Sequence, residues 1–223
     1  MTYLNRKKVQ QTNQGSFVGG KPLLPAEVSI PKCRLCGNLE TFFFQVALAS
    51  ESAWDGKTVS CFSCIKCANR EFLIPEMLNM PLRGCNIPKA FLTSYQRNFS
   101  FLVFSSEAAQ LVKDYEEQVE FFVLQRTELP GDFGKVGGIP NWTTEDETPS
   151  VYDSDTPMVY LFELSPGLEF NIVRNAPAQV ELDLVGSPSP SPMGVYQLFL
   201  GNAIYLFGTT GDESFIYAIT QVG

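Results

Sequence analysis

At 223 residues with a net charge of −8 and no histidine, the chain is long enough to bury a large core. It lacks the commonest general base and the second ligand type of mixed Cys/His metal sites, and it is too acidic for general affinity toward a nucleic-acid backbone. No apolar run approaches the roughly 18–20 residues that span a bilayer, and Met1-Thr-Tyr-Leu-Asn-Arg-Lys-Lys8 has no hydrophobic segment behind its charges to act as a signal peptide.

The expected compartment is therefore the cytoplasm, where six cysteines grouped at close spacings favour a metal over disulfides. Residues 1–15, with Arg6, Lys7, Lys8 and a Gln-rich run, bury little and read as a flexible segment that frays or forms a short edge element. Phe17-Val-Gly-Gly-Lys-Pro-Leu-Leu-Pro25 then calls for a sharp turn at positive φ followed by an extended exit.

Cys33-Arg-Leu-Cys36-Gly37 has the form of a zinc knuckle, and Cys61-Phe-Ser-Cys64-Ile-Lys-Cys67 follows after an apolar run. C-x-x-C pairs place two sulfurs on one side of a tight turn, and two facing turns supply four thiolates to a tetrahedral ion. Cys64-Ile-Lys-Cys67-Ala mirrors the first knuckle, so Cys33, Cys36, Cys64 and Cys67 are the favoured ligands of a structural Zn2+. Cys61 reads as a small buried hydrophobe or as a replacement for one of the four. Cys85 reads as an unligated loop thiol. Between the pairs, 41–48 is a buried strand, Glu51 and Asp55-Gly56 belong to a turn, and 59–64 returns the chain to the metal.

Residues 98–104 form a further strand. Ser105 and Ser106 then offer an N-cap to a helix whose apolar face is Ala108, Leu111, Val112, Tyr115 and Val119, with Asp114, Glu116, Glu117 and Glu120 on its solvated face. Phe121-Phe-Val-Leu124 begins another strand. At Val136-Gly-Gly-Ile-Pro-Asn-Trp142 the opening turn returns. Setting Gly20 against Gly138, an offset of 118 residues, also superposes Pro22 on Pro140, Phe42 on Tyr160, Phe44 on Phe162 and Gln45 on Glu163. This suggests a duplicated turn and strand, the second copy without cysteines. Strands follow at 158–164, 179–185, 195–200, 202–208 and 215–221, with a hairpin turn at Thr209 to Asp212 and a Ser-Pro excursion after Gly186.

The expected fold is α+β, mostly β, with two pseudo-repeated halves of antiparallel sheet (16–130 and 131–223, together one compact unit) and a zinc knuckle in the first. Phe17 to Pro25, the knuckle leading into Phe42-Phe-Phe-Gln-Val46, Val136 to Trp142, Leu184-Val-Gly-Ser-Pro188, Tyr196-Gln197 and the closing Ile204-Tyr-Leu-Phe207 to Gln221 resemble the bacterial YwqG-like family. The zinc-bearing half is also similar to eukaryotic programmed cell death protein 2. The resemblance implies two related halves, a zinc knuckle where the cysteines are kept, and binding roles: immunity beside polymorphic toxins in some bacterial members, and chaperoning of a ribosomal protein in the eukaryotic relatives.

Three functional readings follow. The first is a non-catalytic binding protein of immunity or chaperone type that covers a basic protein partner through Glu145, Asp146, Glu147, Asp153 and Asp155; taken in isolation, the same segment reads more readily as an ordinary solubilising loop. The second is an enzyme with a pocket between the halves, using Cys61 or Cys85 as nucleophile or the carboxylates Glu163, Glu181 and Asp183. A closed four-thiolate ion keeps no open position for chemistry. The third is a zinc-knuckle nucleic-acid binder through Lys32, Arg34, Lys66 and Arg70. The net charge opposes that reading, and basic residues beside thiolates are expected to offset their charge.

Overall fold

The computed structural model describes residues 1–9, 15–49, 54–67, 73–211 and 213–223, so 10–14, Glu51, Arg70 and Asp212 lie outside the described residues. The described chain is mostly β. β1 (Thr2–Lys7) opens it, and the short strands β2 (Phe17–Val18) and β3 (Leu23–Leu24) flank the first Gly-Gly turn. The aromatic run becomes β4 (Thr41–Ala47), and Gly56 at φ 70° helps turn the chain into β5 (Lys57–Ser63). β6 (Asn86–Ile87), a helix α1 (Lys89–Tyr95) and β7 (Phe99–Ser105) follow.

The helix expected after Ser105 does not form. A single 3-10 turn (Ser106–Ala108) leads into β8 (Gln110–Leu111) and then irregular chain as far as β9 (Phe122–Thr127). Backbone groups a helix would have used are committed elsewhere, since Leu111 pairs with Leu23 and Val112 N donates to Pro22 O at 3.0 Å; the Tyr115 side chain is fixed as well, its hydroxyl accepting from Phe42 N at 2.8 Å. Leu111, Val112 and Tyr115, read as one helical face, instead pack against Phe17, Leu23, Leu24, Phe42 and Phe62, a satellite core beside the main one, while Val119 belongs to the main core.

The second half adds β10 (Gly134–Val136), β11 (Val151–Tyr152), β12 (Thr156–Leu164) and β13 (Glu169–Asn171). It closes through β14 (Val180–Leu182), β15 (Pro188–Pro190), β16 (Val195–Gln197), β17 (Ala203–Thr209) and β18 (Ile216–Gln221). Ten strands run in the order β18-β17-β12-β10-β1-β9-β2-β4-β5-β7, every neighbouring pair antiparallel, with β11 and β6 attached beside β12. The sheet is therefore continuous across residue 130.

Residues 2–7 do not fray and are not an edge. β1 lies at the middle of the sheet, hydrogen-bonded to β10 on one side and β9 on the other. One inward residue, Leu4, is fully buried, while Arg6 donates to Asp132 at 2.8 Å and Asn5 to Thr127 at 3.1 Å. A strand paired on both edges needs little apolar content, because its backbone is satisfied by its neighbours.

Around this centre, where Asn5 faces Gln125, the strands follow in mirrored order. The register keeps the 118-residue offset: Phe17 pairs with Gln45 as Lys135 pairs with Glu163, and Val18 with Phe44 as Val136 with Phe162. β4 is irregular between Phe42 and Phe44, and β12 between Tyr160 and Phe162. Gly19 N donates to Phe43 O and Gly137 N to Leu161 O, each at 2.9 Å, and both glycines have positive φ.

The main core joins the two ends of the sheet. Phe44 meets Phe133 and Phe162 at ring-centre distances of 5.6 and 6.2 Å. Tyr95 of α1 stands between the edge strands, 5.2 Å from Phe99 of β7 and 5.6 Å from Tyr217 of β18. Its hydroxyl donates to Ala218 O and accepts from Ala218 N, standing in for the strand that the β18 edge lacks.

Candidate metal centre

The first knuckle is a tight reversal. Cys33 N donates to Asn38 O at 2.9 Å, Gly37 N donates to Cys33 O at 2.8 Å, and Gly37 supplies the φ of 75° that a side chain would resist. Lys32 and Leu39 bridge at its base. The second knuckle leaves the end of β5 and is tied down from two sides: Cys64 N donates to Asn98 O, and Val180 N of β14 donates to Ile65 O. The two turns thus face each other under a segment of the second half.

Cys33, Cys36 and Cys64 lie close enough to hold one metal ion, their sulfurs all within 4.8 Å of one another. The Cys36 and Cys64 sulfurs are 3.5 Å apart, near the ~3.8 Å edge of a tetrahedron with metal–sulfur bonds of about 2.3 Å. Asn38 Nδ2 donates to Cys36 Sγ at 3.3 Å, orienting that thiol from outside the cluster. Cys67, the fourth ligand expected from sequence, is half-buried and falls outside that group of three, though Cys33 and Cys36 stand near enough to influence its thiol. Cys61 is different: fully buried on β5 opposite Phe44, it belongs to the main core. Cys85 lies in the loop just before β6 and is buried in the same core.

Burial and crowding set the ionisation of these thiols. Burial raises the Cys64 thiol well above its usual range, with the neighbouring Cys33 and Cys36 sulfurs adding to the shift. Cys67 is pushed up to about 12 by burial and then by Cys33 and Cys36. Burial also works against ionisation of Cys36, but hydrogen bonds from Asn38, Cys64 and Cys33 outweigh it and bring that thiol down to about 7. Crowded thiols cannot all ionise next to one another unless a cation offsets their charge.

Glu40 closes the knuckle hairpin and was not singled out by sequence. It is 2% exposed, one carboxylate oxygen has no hydrogen-bond partner, and burial raises its pKa to about 7, against the pull of Ser100 and Arg34. Lys32, Arg34 and Lys66 are exposed around the thiols; Arg70 is outside the described residues.

The acidic candidates separate. Glu145, Asp146 and Glu147 line one wall of a cleft of about 670 Å³ whose other wall is 78–83. Asp153 and Asp155 sit in the turn between β11 and β12, outside that lining. Arg83 pairs with Asp146 at 3.3 Å, and Gln221 Nε2 donates to Glu147 Oε2 and to Glu145 O.

The proposed enzymatic groups do not converge. Burial raises the thiols of Cys61 and Cys85, and Asp183 accepts from Val185 and Ser187 in its own turn. Glu163 is buried 3.6 Å from Lys135, accepting also from Asn141 N and the Tyr160 hydroxyl. No family model, curated protein or solved structure matches the chain. No helix among the described residues is long and apolar enough to cross a membrane.

Proposed function

We propose that the chain is a zinc-stabilised, non-catalytic cytoplasmic binding protein that covers a basic protein partner, in the manner of an immunity or chaperone factor. The observation that carries the reading is the cleft between 78–83 and 145–147, where three carboxylates form one wall against a single arginine. Such a wall steers a basic surface and excludes an acidic one. The ion is Zn2+, held by Cys33, Cys36, Cys64 and Cys67: an all-sulfur set suits it, and four thiolates leave no site for substrate. Its contribution is to fold the knuckles onto the sheet.

The halves are read as copies of one ancestral unit, supported by the shared register, the matching irregularities in β4 and β12, and the paired bonds of Gly19 and Gly137. The likeness of the turns and knuckle to the YwqG-like family supports the same organisation. Affinity purification of the tagged chain from its native cells, followed by native mass spectrometry, tests the function. A stoichiometric basic protein and one zinc are expected, the protein lost with Glu145→Lys and Glu147→Lys combined. A partner retained by that double variant, or an eluate with no protein partner, overturns the reading.

A further inference from the structure

A second, smaller cleft of about 190 Å³ opens beside the metal centre, between the second knuckle and the segments around β14 and β16. Cys64 and Cys67 line its floor, Glu181 stands on the β14 wall, and Leu182, Phe199 and Leu200 supply an apolar side. Glu181 is the only carboxylate or cation among the described residues of the lining, and it makes no ion pair with any described residue.

The rim is built at a conformational cost. Phe199 and Leu200 have φ of 49° and 61°, and Gly201 follows at 72°, so two bulky residues occupy left-handed backbone that glycine adopts freely. Phe199 is turned inward against Phe99 at 5.0 Å, while Leu200 stays 57% exposed at the mouth. Strained backbone of this kind persists where the surroundings enforce it, and it gathers at binding sites.

An anion is repelled by the carboxylate and the sulfurs, and a purely apolar group would bury Glu181 without a partner. The complementary occupant has an aliphatic stem for Leu182 and Leu200 and a head that offers several donors to carboxylate and sulfur. We infer that this cleft takes one arginine side chain presented by the protein partner, its guanidinium on Glu181 and its stem against Leu200. This rests on the binding function proposed above and names the residue recognised.

The test is a titration of the full-length, zinc-loaded, 15N-labelled chain with N-acetyl-arginine amide, read by amide shifts. Saturable shifts are expected in 63–67, 179–182 and 197–201, weakened about fivefold by Glu181→Gln, as for loss of one charge-assisted pair. Leu200→Gly, which relieves the backbone, is expected to weaken binding while raising the melting temperature. N-acetyl-citrulline amide, uncharged but alike in shape, is expected not to bind.

Equal binding of citrulline or lysine amide, shifts confined to other surfaces, or no effect of Glu181→Gln overturns the assignment. So does binding that appears only after Arg70→Ala, which would mark the cleft as filled by this chain. A missing protein partner in the native-cell purification would sink the wider function yet leave this titration readable. A partner that Glu181→Gln still captures undiminished would sink the arginine cleft alone.

Discussion

Loading the metal should release a countable number of protons, which makes zinc-free protein the place to begin. At pH 7 a thiol near 7 is half ionised, so Cys36 gives up about half a proton on binding; Cys67, at about 12, and Cys64, raised by burial, each give up about one. These three thiols alone release about 2.5 protons. Protons and metal compete for the same sulfurs, so affinity falls as pH falls, by about 300-fold to 1000-fold between pH 7 and pH 6. Titration of chelator-stripped protein with zinc in weakly buffered indicator counts the protons, and chelator competition at pH 6, 7 and 8 gives the slope. Cys67→Ser should remove about one proton. Release of less than one proton by the intact chain, or an unchanged count in Cys67→Ser, refutes the four-sulfur assignment.

Glu40→Gln tests the buried carboxyl. Its folded pKa of about 7 exceeds the usual 4.5, so its proton favours folding below pH 4.5 and that contribution is lost as pH rises through 7. At pH 8 the ionised group costs about 3 kcal/mol, and urea unfolding should show Glu40→Gln more stable by about that amount at pH 8 but not at pH 4.5; parallel curves at the two pH values refute it. Tyr95→Phe strips the buried N–H and C=O of Ala218 of their shared partner, a loss of about 3 kcal/mol and a melting temperature lower by about 6–12 °C; a change under 1 °C would show that water or a neighbour replaces the hydroxyl. Cys61→Ser and Cys85→Ser should each keep one zinc by elemental analysis, since both side chains belong to the core; metal lost from either reassigns the ligands.

The strands at 41–47, 57–63, 156–164, 203–209 and 216–221 were legible because aromatic and β-branched residues crowd runs bounded by turn-forming residues. The thiol cluster was legible because sulfur spacing is local. What sequence could not carry was pairing at a distance. β1 has the composition of a loose terminus, and only its partners more than a hundred residues away make it central. Leu111, Val112 and Tyr115 recur at helical spacing, yet the bonds to Pro22, Leu23 and Phe42 outweigh that periodicity. α1 carries the weakest of signals, with proline at its N-cap and no side-chain cap. Lys135 carries no signal of its own in the sequence, and only the register with β12 sets it beside Glu163.

On the duplicated reading, the halves fix corresponding loops by different chemistry. Each loop leaves a Gly-Gly-x-Pro turn and enters an irregular strand, and in each a side chain of that strand accepts the first backbone N–H of the exit: Gln45 from Leu23, Glu163 from Asn141. In the first half, the loop is then held by thiols. In the second it is held by polar side chains: Tyr205 Oη accepts from Thr143 N and donates to Asn141 O, while Gln221 accepts from Thr143 and Thr144 N and donates to Glu145 O and Glu147. The apolar satellite core changes with it. Phe17 and Phe42 of the first half stand where the second has Lys135 and Tyr160, a buried cation against the Glu163 that anchors the loop. An ion pair there is no gain in stability over packed phenylalanines. What it supplies is position: a loop whose backbone is fixed at several points presents Glu145, Asp146 and Glu147 in one arrangement, so a basic partner of the kind proposed above would not bear the entropy of ordering them.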